Sequence, residues 1–219
     1  MFPAFARSFA VAPGALTALF WRSLKLIAFI LCPLCAGVVA FAPQIMALWM
    51  GRRFAPQSSA VLQILAVGAF VTGLSWIPLA LLHGAHRPDL PAKIHLVDFP
   101  IYALVLCVCV RRFGLAGAAF AWSGRLLAEN LVIFTMASQF IAASRREIVG
   151  ACASLILAIA VIVLGAFVPD NTSKAVFLCG LVAAIGIVTW RSLLDGRDRA
   201  QIVRFLPTAL RPAFGKIAD

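Results

Sequence analysis

Charge is scarce in this chain, and acidic charge is scarcest. Only 12% of its 219 residues are charged, with 8 Asp and Glu against 19 Lys and Arg. A soluble globular domain is about a quarter charged and about half apolar. Here 63% of residues are apolar and the mean hydropathy is +1.01. That balance excludes an ordinary water-soluble domain, and no stretch is polar enough to form a separate one. Catalytic signatures are lacking too: there is no Walker loop, no His-Glu-x-x-His, no Gly-x-Ser-x-Gly and no dinucleotide fingerprint. The three His residues, His83, His86 and His95, show no metal-ligand spacing on a span. No enzyme activity, cofactor or metal site is therefore expected. Despite a net charge of +11 there is no RNA- or DNA-binding motif, and nucleic acid is not an expected partner. The start, MFPAFARSFAVAPGAL, lacks the basic n-region, compact apolar core and cleavage site of a secretory signal. The first span is expected to act as an uncleaved anchor.

What the chain does have is long apolar runs. Six can be marked: about residues 24–50, 58–82, 94–110, 115–142, 148–168 and 175–194. Only helices or closed barrels satisfy the backbone in lipid, and continuous runs of this length argue for helices. The expected fold is all-α, an integral membrane six-helix bundle over residues 1–194, followed by a basic cytoplasmic tail over 195–219. Within that tail Ile202, Val203, Phe205 and Leu206 suit either a short amphipathic helix or a loose basic segment. The six cysteines all fall within the apolar runs. Cys32-Pro-Leu-Cys35 has redox or metal spacing, but no second Cys pair lies near it, so these are read as small packing residues.

Basic residues gather in the loops, which suits anionic headgroups. With both ends cytoplasmic, thirteen Lys and Arg fall inside and five outside, namely Arg52, Arg53, Arg111, Arg112 and Lys174. The positive-inside rule favours that orientation. Trp21, Trp49 and Trp190 fit an interfacial aromatic belt. Pro33, Pro43 and Pro78 are expected to bend the first two spans.

Arg125 and Glu129 lie near the middle of the fourth run. Charge at that depth is costly and is tolerated where side chains face a bundle interior or a wet cavity. Four residues apart, the two share one helical face and can pair. Two readings stand: a cavity lining in which Arg125 meets an anionic group, or a structural ion pair that locks helices together. Asn130 adjoins them and is placed to hydrogen-bond across to another helix. Asp98, ~7 Å into the third run at 1.5 Å per residue, is expected to pair with Lys93, His95 or Arg87 at the inner mouth. Glu129, ~20 Å from the inner end of its own run, is expected out of its reach. Asp98 is thus a gate or anchor, or a satisfied interfacial carboxylate. His83, His86, Arg87 and Lys93 form a basic inner loop suited to a phosphorylated headgroup, or to topology alone.

Two strings, LWMGRRFAPQSSAVLQILAVGAFVTGLSWIPLALLHGAHRPDLPAKIHLVDFPIY and FGLAGAAFAWSGR, resemble the C-terminal half of polysaccharide flippases. These are the O-antigen (Wzx-type) lipid-linked oligosaccharide translocases of the MATE-like exporter superfamily. The Gly84-to-Lys93 loop carries the most specific part of the resemblance, and the opening FPAFAR resembles the lead into that family's seventh helix. The resemblance implies one six-helix lobe of a two-lobed, alternating-access transporter. It implies flipping of a polyprenyl-pyrophosphate-linked oligosaccharide across a bacterial inner membrane. Arg125 matches the arginine after the family's Ala-Trp motif, and Asp98 stands where a Glu is common. Substrate-binding residues are then Arg125, Glu129 and Asn130, with His86, Arg87, Lys93 and Asp98 at the inner mouth. Glu129 or Asp98 is a candidate proton carrier. Expected partners are the lipid-linked oligosaccharide, membrane lipid, and an N-terminal lobe or partner subunit, since six helices cannot enclose a site between lobes. Two other readings are a multidrug-exporter lobe, disfavoured by the basic cavity, and a non-transporting scaffold of a polysaccharide-assembly complex.

Overall fold

The computed structural model describes the backbone of residues 13–85, 87–141 and 144–192, with side chains described from Leu16 to Ile187 within those ranges. His86, the opening FPAFAR and the tail 195–219 lie outside the described residues, as does the side chain of Trp190. The described residues are all-helical, without strands. The order is α1 (Pro13–Ala40), α2 (Ala42–Trp49), α3 (Ala55–Gly84), α4 (Asp89–Ser138), α5 (Arg145–Leu164), a 3-10 turn (Gly165–Phe167) and α6 (Asn171–Ser192). Four segments are long and apolar enough to cross a membrane: Leu16–Ala40, Ala55–Gly84, Asp89–Ser138 and Arg145–Phe167. The chain is a multi-pass membrane protein. It divides into two compact units, Met1–Leu178 and Cys179–Asp219.

The first apolar run is not one helix. α1 starts eleven residues before the expected Leu24 and stops at Ala40, and α2 follows from Ala42. Proline explains the break. Pro43 has no N–H to give the carbonyl four residues back, that of Val39. That carbonyl accepts instead from Gln63 Nε2 of α3 at 3.2 Å. A residue on another helix thus satisfies the backbone where the proline does not. The chain still runs on through Phe41, whose N–H donates to Gly37 and whose carbonyl accepts from Ile45, at 3.0 and 2.9 Å.

α4 spans 50 residues. Straight, it would be ~75 Å long, over twice the ~30 Å hydrocarbon core. It folds back instead. Gly114 holds φ 59° and ψ −137°, outside helical space and in a region that favours glycine. Gly117 must also lack a Cβ, which would strike the carbonyl of Cys109. The two arms, residues 89–113 and 115–138, therefore run antiparallel, and His95 meets Glu129 while Asp98 meets Arg125. The second arm runs parallel to α3. Ser123 Oγ donates to the Ile64 carbonyl at 3.0 Å and Asn130 Nδ2 to the Val71 carbonyl at 3.4 Å, both 59 residues away. Equal separations at two points seven residues apart fix the direction. α3 and the two arms are thus three alternating passes.

The packed core sits where α1 begins and α3 and the second arm end. Leu16, Phe20, Ile77, Leu81, Leu82, Ile133 and Ile141 are its largest members. Trp21 packs against this cluster, with its ring 6.2 Å from that of Phe134 and its Nε1 buried without a hydrogen-bond partner among the described residues. Further along, α1 and α3 touch at Leu31 and Gly73 and again at Val39 and Gln63. Between those contacts lies an apolar hollow of about 650 Å³ backed by Trp122.

α5 starts at a capping box. Ser144 Oγ accepts from the Glu147 N–H at 3.3 Å, and the Ser144 N–H donates to Glu147 Oε2 at 2.8 Å. Lys174, counted among the outer loop charges, proves 95% buried, since its residue exposure is 5%. Its ammonium lies 5.8 Å from the centre of the Phe41 ring. Gln44 lies beside it, with its side-chain amide 2.8 Å from Asn171 Oδ1.

Candidate functional site

Five polar side chains inside the membrane-spanning segments gather on the facing stripes of the α4 hairpin. His95, Asp98 and Tyr102 recur at i, i+3 and i+7 on the first arm, which sets them on one helical face. Arg125 and Glu129, four apart, face them from the second arm. Arg125 Nε donates to Asp98 Oδ2. Arg125 Nη2 lies 3.8 Å from Glu129 Oε2, and His95 Nδ1 lies 3.5 Å from Glu129 Oε1. The guanidinium carbon sits 4.9 Å from the centre of the Tyr102 ring, close enough for a cation–π contact. Side-chain exposure is 22% for Arg125, 18% for Asp98, 13% for Glu129 and 49% for His95. The network is largely enclosed yet open along one edge.

Asp98 does not take the expected partners. Lys93 and Arg87 both turn to Asp89, at 3.6 and 4.0 Å, and His95 turns to Glu129. The reason is depth. The first arm begins at Asp89 and the second ends at Ser138, so Asp98 and Glu129 are each nine residues from the same end of the hairpin. At 1.5 Å per residue both lie ~14 Å in, and the contacts with Arg125 and His95 set them within about one turn of each other. The expected boundaries are four to five residues off at each arm; Asp98 and Glu129 are joined through Arg125, which both contact.

Asn130 stands apart from the network, because its amide reaches the Val71 carbonyl of α3. Arg87 and Lys93 lie at the end of the hairpin with exposed side chains. Tyr102 was not singled out from sequence, and His95 was weighed only as a partner of Asp98. The signal for both was present in the i, i+3, i+7 spacing of His95, Asp98 and Tyr102. Among the described residues no group of three or more His, Cys, Asp or Glu is placed to hold a metal ion.

The network's chemistry follows from its charges. One guanidinium serves two carboxylates, so the surplus is negative unless His95 or a carboxylate carries a proton. Burying such groups is tolerated when each is paired and hydrogen-bonded. All donors and acceptors here are side chains, and no nucleophile with an activating base lies among them.

Over 112 residues the chain is 27% identical to a Shigella flexneri protein named "Putative O-antigen transporter". The match covers 51% of this chain and 27% of the relative, so the chain aligns with about a quarter of that protein's length. No family model matches the chain. No solved structure matches it either.

Proposed function

We propose that this chain is a six-helix lobe of a transporter that flips a polyprenyl-pyrophosphate-linked oligosaccharide for surface polysaccharide synthesis. The observation that carries the reading is the charged network inside the membrane-spanning hairpin, a costly arrangement that marks a pathway for polar cargo. The similarity to the Shigella flexneri protein named "Putative O-antigen transporter" supports a role in polysaccharide transport. The six helices are α1, α3, the two arms of α4, α5 and α6, in a bacterial inner membrane with both ends inside. A second lobe, on another chain or on a longer form of this one, completes the translocation path, and rocking of the two lobes exposes it to each side in turn. No covalent chemistry is involved.

A second reading has one observation in its favour. Arg125 is engaged at Nε and Nη2 by carboxylates of its own hairpin, as a purely structural bolt in a scaffold protein would be. Surface glycan separates the two. Cells carrying Asp98→Asn or Glu129→Gln at wild-type protein levels are expected to lose glycan export. Export at wild-type levels in both variants favours the scaffold.

A further inference from the structure

We infer that the hairpin network receives the hydroxyl groups of the glycan, and that the pyrophosphate of the same substrate belongs at the loop end of the hairpin. This rests on the proposed flippase reading and deepens it. Arg125 contributes one positive charge, while Asp98 and Glu129 contribute two negative ones. With both carboxylates ionised, the net charge is −1 when His95 is neutral and zero when it is protonated. In neither state is there positive charge to spare for a phosphate.

Hydrogen-bonding capacity points the same way. Arg125 already spends Nε on Asp98 and sets Nη2 toward Glu129, and one face of its guanidinium lies over Tyr102. Beyond the two N–H groups of Nη1, what is left over is acceptor capacity. Asp98 Oδ1 has no partner among the described residues, and an ionised carboxylate only accepts. Phosphate oxygens are acceptors as well, so they would compete with Asp98 and Glu129 for the one guanidinium. Sugar hydroxyls donate, and so fit. The open edge at His95 gives them access.

Nine residues toward the hairpin's end the balance reverses. Arg87 and Lys93 share the single carboxylate Asp89, leaving a net +1 on exposed side chains. The first arm thus carries an anion-attracting end and a hydroxyl-accepting interior ~14 Å apart along its axis. A ligand that joins an anionic group to a neutral polyhydroxylated one matches both.

The test uses the full chain in lipid nanodiscs with two probes made from the lipid-linked glycan of the same cells. Mild acid splits this glycan into the free oligosaccharide and the polyprenyl phosphates. Asp98→Asn and Glu129→Gln are close to isosteric, and thermal unfolding verifies that each variant is folded. Each variant is expected to bind the free oligosaccharide about tenfold more weakly, or worse, while polyprenyl phosphate binding is unchanged. Arg87→Gln with Lys93→Gln is expected to do the opposite. The inference is overturned if Arg125→Lys, Asp98→Asn or Glu129→Gln weakens polyprenyl phosphate binding and spares the oligosaccharide. It is equally overturned if neither probe responds to the network variants. Loss of glycan export in those same variants would leave the flippase reading standing while this assignment falls. Unaltered export in cells lacking the gene would remove the flippase reading itself.

Discussion

Replacing Arg125 by Met tests the network most directly. The substitution keeps much of the side-chain volume and removes the only guanidinium between two enclosed carboxylates. At 3.8 Å and an effective dielectric constant near 20, the pair with Glu129 alone is worth ~4 kcal/mol before desolvation. Breaking a buried pair by removing one partner typically costs about 3–5 kcal/mol, because the remaining charge is left unpaired. The expected loss is therefore about 3 kcal/mol or more, read as the shift in reversible unfolding by SDS or by a steric trap in bicelles. The triple variant Arg125→Met, Asp98→Asn, Glu129→Gln has no charge to strand. It is expected to recover most of that loss. The reasoning is refuted if the single variant costs under ~1 kcal/mol, or if the triple variant is no more stable than the single one.

Four further outcomes are expected. Gly114→Val forces a β-branched residue to φ 59°, so it should cost about 1–3 kcal/mol in the same assay, whereas Gly124→Ala, with open space around its Cβ position, should be near neutral. Gln63→Leu strands the Val39 carbonyl and should cost about 1–3 kcal/mol, and Pro43→Ala in the same chain should restore the helical hydrogen bond and the stability. Gly68→Val should loosen the α3 contact with the second arm, because even a Cβ there would lie 2.7 Å from Ser123 Oγ; cysteine crosslinking between the two helices would report it. If Glu129 carries the coupling proton, Glu129→Gln should flatten the dependence of glycan export on the pH gradient, and an unchanged dependence removes Glu129 from that role.

The helices were legible because lipid leaves the backbone few choices. A run such as residues 58–82 has to be helical whatever it packs against. Their ends were not, because hydropathy records where lipid stops and not where the helix stops. The first arm continues past its apolar part through Lys93 to Asp89, held by an exposed Lys93–Asp89 contact that hydropathy scores as loop. That shift of a few residues decided whether Asp98 and Arg125 could meet. The i, i+4 pairing of Arg125 and Glu129 was readable from spacing alone. The positions of Trp21 and Lys174 were not. Their packing against Phe134 and Phe41, both distant in sequence, is not written in the residues around them. Likewise nothing local to Pro43 announces that Gln63 will supply its lost hydrogen bond.

The turn at Gly114 also bears on how the protein enters the membrane. Arg125 finds Asp98 and Glu129 within one contiguous hairpin, without help from α1, α3 or α5. Its charge can be neutralised as soon as the two arms leave the translocation machinery together. An arm inserted alone would carry Arg125 and Glu129 without Asp98, or Asp98 with no cation at its level. The pair of arms is thus the smallest piece of this chain in which Asp98 meets a cation at its own depth. Release of residues 89–138 as a unit, and not arm by arm, is the order of biogenesis that this geometry favours.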